Sequence, residues 1–185
     1  MTRFKKSGKQ ILITLADYEE AVLESMIEQL IGLIEGDGVH AAADDPFARW
    51  EADMAEPGGM DASDPVIARL FPPAYRDDPG AEHEFRRFTE VAQRRTKIDQ
   101  AQVVLNALLE TNAGRDPAVV RPVDVEAWLK TITAIRLSLS VRLGIETADD
   151  IDELEQLDDD EPRAVLYSMY EWLSYFLDSL LDALH

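Results

Sequence analysis

The 185-residue sequence has three histidines, His40, His83 and His185, and no cysteine. No two histidines stand three or four residues apart, the spacing that sets two metal ligands on one helix face. No Glu-x-x-His motif of a carboxylate-bridged di-iron bundle occurs either. Without cysteine there is no disulfide, thiolate nucleophile, cysteine zinc site or thiol switch. Glu20, Glu24 and Glu28 recur every four residues and would form a carboxylate ridge on a helix. Lacking further oxygen ligands, such a ridge is expected to be a solvated face rather than a cation site. The glycines of "EGDGVH" and "PGG" match no phosphate-cradling loop, and neither a G-x-S-x-G elbow nor a recognisable Ser/His/Asp grouping is present. The expectation is a protein with no catalytic residues, no metal and no cofactor, hence not an enzyme.

Binding residues are easier to nominate. In "DPVIARLFPPAYRDDPG", residues 64–80, a short helix runs into two prolines that are followed by Tyr75 and Arg76. Arg86, Arg87, Arg94, Arg95 and Lys97 then crowd into twelve residues. We take Tyr75, Arg76, Arg86, Arg87 and Arg94 as a candidate partner surface, beside the simpler reading of a rigid structural corner with solvated charge. The net charge of −19 argues against generic attraction to nucleic acid, which requires clustered cations to displace phosphate counterions. Arg87 and Arg94, seven apart, and Arg86 and Lys97, eleven apart, are nonetheless in phase on a helix, so direct DNA contact stays open as the alternative. Between Glu146 and His185 there are thirteen acids and one base, Arg163, and pairing of the arginines with this acidic end is the expected use of both.

Elements must position these residues. An apolar fraction of 46% excludes global disorder, and the length suits one domain, residues 1–185. "RFKKSGKQILITL", with Ser7-Gly8 between its two runs, predicts a β-hairpin that must lie on something larger. "AVVRP" suggests a short strand to pair with it. Thr14 is the expected N-cap of a helix closed by Gly36, with Leu15, Tyr18, Val22, Met26, Leu30, Leu33 and Ile34 facing inward. Residues 37–63 are rich in Gly, Ala, Asp and Pro and are expected to be a mobile connection, with a short helix around "PFARWEADM". Asp64 and Pro65 start the short helix that Pro72 stops. A longer helix is expected from about Glu82 to Glu110, with a break near Arg94–Lys97. Asp124 and Gly144 bound another, in which Arg136, if buried, requires a carboxylate partner. An acidic helix around "TADDIDELEQL" and a closing helix from Pro162 complete the chain. The closing helix is apolar enough to be a central element or the contact of a homodimer, but Glu171, Asp178 and Asp182 make it too polar to span a membrane. The basic N-terminus precedes no long apolar run, so no signal peptide is expected.

The segments "DPVIARLFPPAYRDD", "EFRRFTE", "AWLKTITAIRLSLSVRLGI" and "YEWLSYFLDSLLDAL", in this order and spacing, resemble a family of uncharacterised actinobacterial proteins, some linked to oxidative-stress regulation. The likeness runs from about residue 4 to residue 184. It implies a mostly helical regulatory protein rather than an enzyme. Members are often encoded beside the adaptor of the Clp protease, which points to stress or proteolysis. Redox regulation in the family is associated with cysteine, so thiol sensing does not carry over to this chain. No catalytic residue is carried over.

The expectation is therefore mainly α: a single helical domain of five or six principal helices with a small N-terminal β-hairpin. Its expected role is regulation of stress response or transcription in the cytoplasm, through an unidentified protein partner.

Overall fold

A computed structural model describes residues 2–35, 64–158 and 160–185 of the chain. The mobile connection and the short helix expected within residues 37–63, and the expected closure by Gly36, lie outside the described residues. The hairpin forms as the alternating run "QILIT" requires. Strand β1 (Arg3–Ser7) pairs antiparallel with β2 (Gln10–Thr14), and Ser7 opposite Gln10 makes Gly8-Lys9 the loop, one residue later than expected. β2 is central, because β3 (Ala118–Val120) pairs antiparallel along its other edge. Register places Ile11 opposite Val120 and Ile13 opposite Ala118, so one face of the sheet is buried and apolar.

Six helices follow among the described residues: α1 (Asp17–Glu35), α2 (Pro65–Leu70), α3 (Pro79–Leu109), α4 (Val125–Leu143), α5 (Ala148–Leu154) and α6 (Pro162–Leu184). Thr14 does not cap α1, because β2 keeps it as its last residue. Instead the Glu19 carboxylate reaches back to accept from the Ala16 N–H at 2.8 Å and also accepts from the Thr2 N–H at 3.2 Å. Tyr18 leaves the expected inner stripe and is 69% exposed, whereas Leu23, Ile27 and Ile34 are fully buried. Asp64 caps α2, its carboxylate accepting from Val66 N–H at 2.7 Å, and Pro65 takes the first helical position.

α3 starts at Pro79, earlier than expected, because Asp78 accepts from the Gly80 and Ala81 N–H groups. It runs unbroken for 31 residues. No break occurs at Arg94–Lys97, since neither glycine nor proline stands there and Arg94 pairs with Glu90 one turn back. Asp124 stands at the start of α4, but its carboxylate is held by Arg121 and makes no cap hydrogen bond. Gly144 ends α4 in the left-handed region at φ +74.

α6 is a central element. It packs on α4, on α5 and on strands β1 and β2. Phe176 lies in an aromatic group with Trp128 (stacked, 6.0 Å between centroids), Phe4 (edge-on, 5.0 Å) and Trp172 (edge-on, 5.9 Å), which locks the hairpin to two helices. Lys6 donates to the Leu184 carbonyl, and the Trp172 indole N–H donates to Thr2 Oγ1. Arg136 finds no carboxylate among the described residues. Half-buried, it donates to Ser174 Oγ and Tyr170 Oη and lies over the Tyr170 ring at 4.8 Å. Two hydroxyls and an aromatic face suffice because the guanidinium keeps part of its hydration.

Candidate functional site

The corner after α2 is fastened by Glu82. Its carboxylate accepts from the Ala74 and Tyr75 N–H groups at 2.8 and 3.0 Å and from Arg86 Nε at 2.6 Å. The Tyr75 amide is the main cause, ahead of Arg86 and the Ala74 amide, that holds the Glu82 carboxyl below the usual carboxylate range against the opposing effect of burial. Arg86 also donates to the Phe71 carbonyl at the end of α2. One turn pair further on, Arg94 donates to the Ile34 carbonyl at the end of α1 (2.7 Å), pairs with Glu90 and lies over the Phe71 ring at 5.2 Å. Both arginines thus satisfy carbonyls that helix ends leave open.

The sequence-nominated surface therefore divides. Arg86 and Arg94 are built into the scaffold. Arg76 and Arg87 are exposed, and Tyr75 is half-exposed with its ring edge-on to Phe85 at 5.8 Å. The expected pairing of these arginines with the acidic C-terminal segment is not found among the described residues. Arg86, Arg94 and Arg95 pair with acids four residues away on α3 itself, which packs against α1, α4 and β3.

The N-terminal half of α3 has a consequence for the surface. From Pro79 to Thr96 no residue is fully buried, although Phe85, Phe88 and Ala92 recur at helical spacing. Phe88 is 72% exposed. Between this stripe and the wall formed by Leu70, Phe71 and Pro72 runs an open groove of about 630 Å³. A second hollow of about 330 Å³, floored by Leu129, Ala134 and Leu137, adjoins it. Leu70, Lys97 and Lys130 line both. Lys97 lies over the Phe71 ring at 5.6 Å and makes no ion pair or hydrogen bond among the described residues. Burial, and then repulsion from Lys130, lowers its ammonium pKa. Lys130 reaches Glu126 at 3.5 Å, an exposed pair that holds it only loosely.

Sequence reasoning did not nominate Phe88, Lys97 or Lys130 for this surface. The Phe85–Phe88–Ala92 spacing was the available signal for the first. Lys130 stands 33 positions after Lys97, and only the packing of α3 on α4 brings the two together.

Several other polar groups are used within the scaffold. The glutamate ridge is not uniformly solvated. Glu20 is 5% exposed and accepts from Thr111 Oγ1, Glu24 is half-buried and Glu28 is exposed. Burial, then repulsion from Glu20 and Glu28, raises the Glu24 carboxyl pKa. No group of three or more His, Asp or Glu among the described residues is arranged to hold a metal ion. Tyr167 lies between Glu155 and Glu171. Burial, then the two negative charges, pushes its phenol up to about 12, which makes it a hydrogen-bond donor and not a proton-transfer group near neutrality. No helix among the described residues is long and apolar enough to cross a membrane.

Fold and surface together define a mainly α-helical protein with a three-stranded sheet and an open, lysine-bearing apolar groove. Over residues 1–184 the sequence matches the model of a domain of unknown function, DUF2017, and the chain belongs to that family. No curated protein and no solved structure matches it.

Proposed function

We propose that this protein is a non-enzymatic regulatory protein that acts by binding another protein, with the groove along the N-terminal half of α3 as the contact surface. The observation that supports this is Phe88, an aromatic residue 72% exposed on a face it shares with Phe85 and Ala92. Apolar stripes rimmed by charge are typical of association surfaces, and aromatic and arginine side chains are their usual anchors. Tyr75, edge-on to Phe85, and Arg87, over the Phe88 ring at 5.9 Å, border the stripe, and Arg76 follows Tyr75 on the exposed corner. The resemblance to actinobacterial proteins linked to oxidative-stress regulation directs the role towards stress response or transcription control in the cytoplasm. With no cysteine, the signal reaches this chain through its partner rather than its own thiols.

Direct DNA contact through α3 is the weaker reading, because Glu82, Glu84 and Glu90 would approach phosphates together with the arginines. A homodimer through residues 163–184 has little apolar surface to use. At about 100° per residue the exposed Val165 and Tyr175 lie about 80° apart but nearly three turns from each other along the helix, and Leu181 lies more than about 100° from either.

Affinity purification from native lysate tests the proposal, with wild type beside Phe88→Asp and the double reversal Arg76→Glu/Arg87→Glu. These positions are exposed, so the fold is kept. Arg86 is left alone because it fastens the corner. A partner recovered by wild type should be lost with Phe88→Asp and weakened by the reversal. Equal recovery of every partner by all three proteins would overturn the reading, and a shift of promoter DNA at low ionic strength would favour the DNA alternative.

A further inference from the structure

The junction of the two hollows has an unusual electrostatic composition. The chain carries 37 acidic against 18 basic residues, so acids outnumber bases about two to one. Lys97 pairs with no acid among the described residues. Its stem is half-buried against Phe71 and Leu70, its ammonium is desolvated, and its nearest charged neighbour in the groove is another ammonium, Lys130. The Glu126 carboxylate that reaches Lys130 does not pair with Lys97, and both members of the Lys130–Glu126 pair are largely exposed, with side chains at 58% and 73%. Two ammoniums that line one apolar groove, Lys97 half-buried and Lys130 at its exposed edge, repel each other, and an anion seated between them relieves that repulsion.

We propose that the groove takes an apolar peptide segment of a partner protein that carries an Asp or Glu, with the carboxylate between Lys97 and Lys130 and the flanking apolar side chains against Phe71, Phe85 and Phe88. This rests on the reading of the groove as the partner surface and adds the chemistry of the partner. A peptide fits better than a small apolar acid. Small-molecule sites enclose most of their ligand, whereas here one wall is the exposed Phe88 and the trough continues from Pro72 on the corner to Leu137 on α4. A carboxylate is the simplest anion to seat there, because one negative charge is enough to relieve the repulsion between the two ammoniums. Arg94, which shares the Phe71 ring with Lys97, already has its donors on Ile34 and Glu90.

The test uses the full-length protein and a phage-displayed library of sixteen-residue peptides. The library is selected on wild type and counter-selected on Phe88→Asp. Enriched peptides should carry an acid within one helical turn of a large apolar residue. For the best peptide, followed by fluorescence anisotropy, Asp or Glu to its amide should weaken binding by roughly five- to tenfold. Lys97→Met and Lys130→Met should each do the same, and the acid-to-amide change should have little further effect in the Lys97→Met/Lys130→Met protein. Circular dichroism checks the fold, and Lys97→Met should be at least as stable as wild type because it removes a desolvated, repelled charge.

Groove-dependent peptides that lack acids, or whose affinity ignores both lysines, would overturn the carboxylate subsite and leave the groove standing. Failure to enrich any peptide sensitive to Phe88→Asp would overturn the groove reading and the subsite with it. Concentration-dependent dimerisation abolished by Phe88→Asp would assign the groove to a second copy of the chain and overturn the partner proposed here.

Discussion

Replacing Arg94 with Gln should loosen the junction between α1 and α3 while leaving the exposed surface intact. The Arg94 guanidinium makes three contacts: a charged hydrogen bond to the Ile34 carbonyl at 2.7 Å, a one-turn pair with Glu90 at 2.8 Å and a cation–π contact with Phe71 at 5.2 Å. A charge-assisted bond at a helix end contributes about 1–2 kcal/mol, an i,i+4 pair about 0.3–0.5 kcal/mol, and a part-desolvated cation–π contact about 0.5–1 kcal/mol. The contributions share one side chain, itself 29% exposed, so a net loss of roughly 1.5–2.5 kcal/mol is expected rather than their full sum. Urea denaturation followed by circular dichroism reads the loss, and hydrogen exchange localises it to the last turn of α1, which ends at Glu35. Arg94→Lys should recover only the pair with Glu90, because an ammonium cannot reach carbonyl, carboxylate and ring together. Arg87→Gln, on the exposed side of the same helix, should change stability by less than about 0.5 kcal/mol. If Arg94→Gln is equally silent and exchange in α1 is unchanged, the assignment of Arg94 to the scaffold is wrong.

Two further perturbations probe the corner and the turn after α3. The Glu82 carboxyl is held below its ordinary value of 4.5 by the Tyr75 amide, Arg86 and the Ala74 amide. Its contribution is therefore present above the unfolded-state pKa and is lost as pH falls through the lower folded value. The amide resonances of Ala74 and Tyr75 should titrate together with a midpoint below 4.5 and stop doing so in Glu82→Gln; a midpoint at or above 4.5 contradicts the geometry. Gly114→Ala should destabilise by about 1–3 kcal/mol, since it forces alanine into φ +71 with its Cβ 2.9 Å from Asp17 Oδ1. Adding Asp17→Ala should return the steric part, and an unchanged thermal midpoint in Gly114→Ala would refute the close approach.

Elements governed by local rules were legible in the sequence. Asp64-Pro65 opened α2, Gly144 closed α4, Pro162 opened α6, and Ser7-Gly8 between two short runs marked the hairpin to within one residue. Misreadings occurred where one residue had competing uses. Thr14 was a plausible cap, but the sheet needed it and Glu19 served instead. Asp124 was a good cap type, but Arg121 three residues earlier took its carboxylate. Arg86 and Arg94 looked like part of a binding surface, because sequence spacing shows the helix face on which an arginine stands and not the carbonyl of another helix that it meets. Tyr18 and Phe88 show the same limit for apolar residues. Both have the spacing of an inner stripe, and both are outside because no described element packs on that side. The groove depends on this second kind of information, since α2, α3 and α4 each contribute a wall and no short stretch of sequence contains two of them.

The charge distribution assigns different tasks to the whole molecule and to the groove. At a net charge of −19 the far field repels acidic partners and nucleic acid alike, but it decays over a Debye length of about 10 Å at 0.1 M salt. Within the groove the nearest charges are Lys97 and Lys130, partly shielded by apolar walls, where salt screens them less. An acidic apolar segment would therefore meet resistance on approach and attraction on contact. Net charge would govern how often partners arrive, and the groove how long one stays. If the groove takes the acidic apolar segment proposed above, partners attracted by charge alone would be turned away and such a segment retained, and selectivity would arise from the opposition of the two fields.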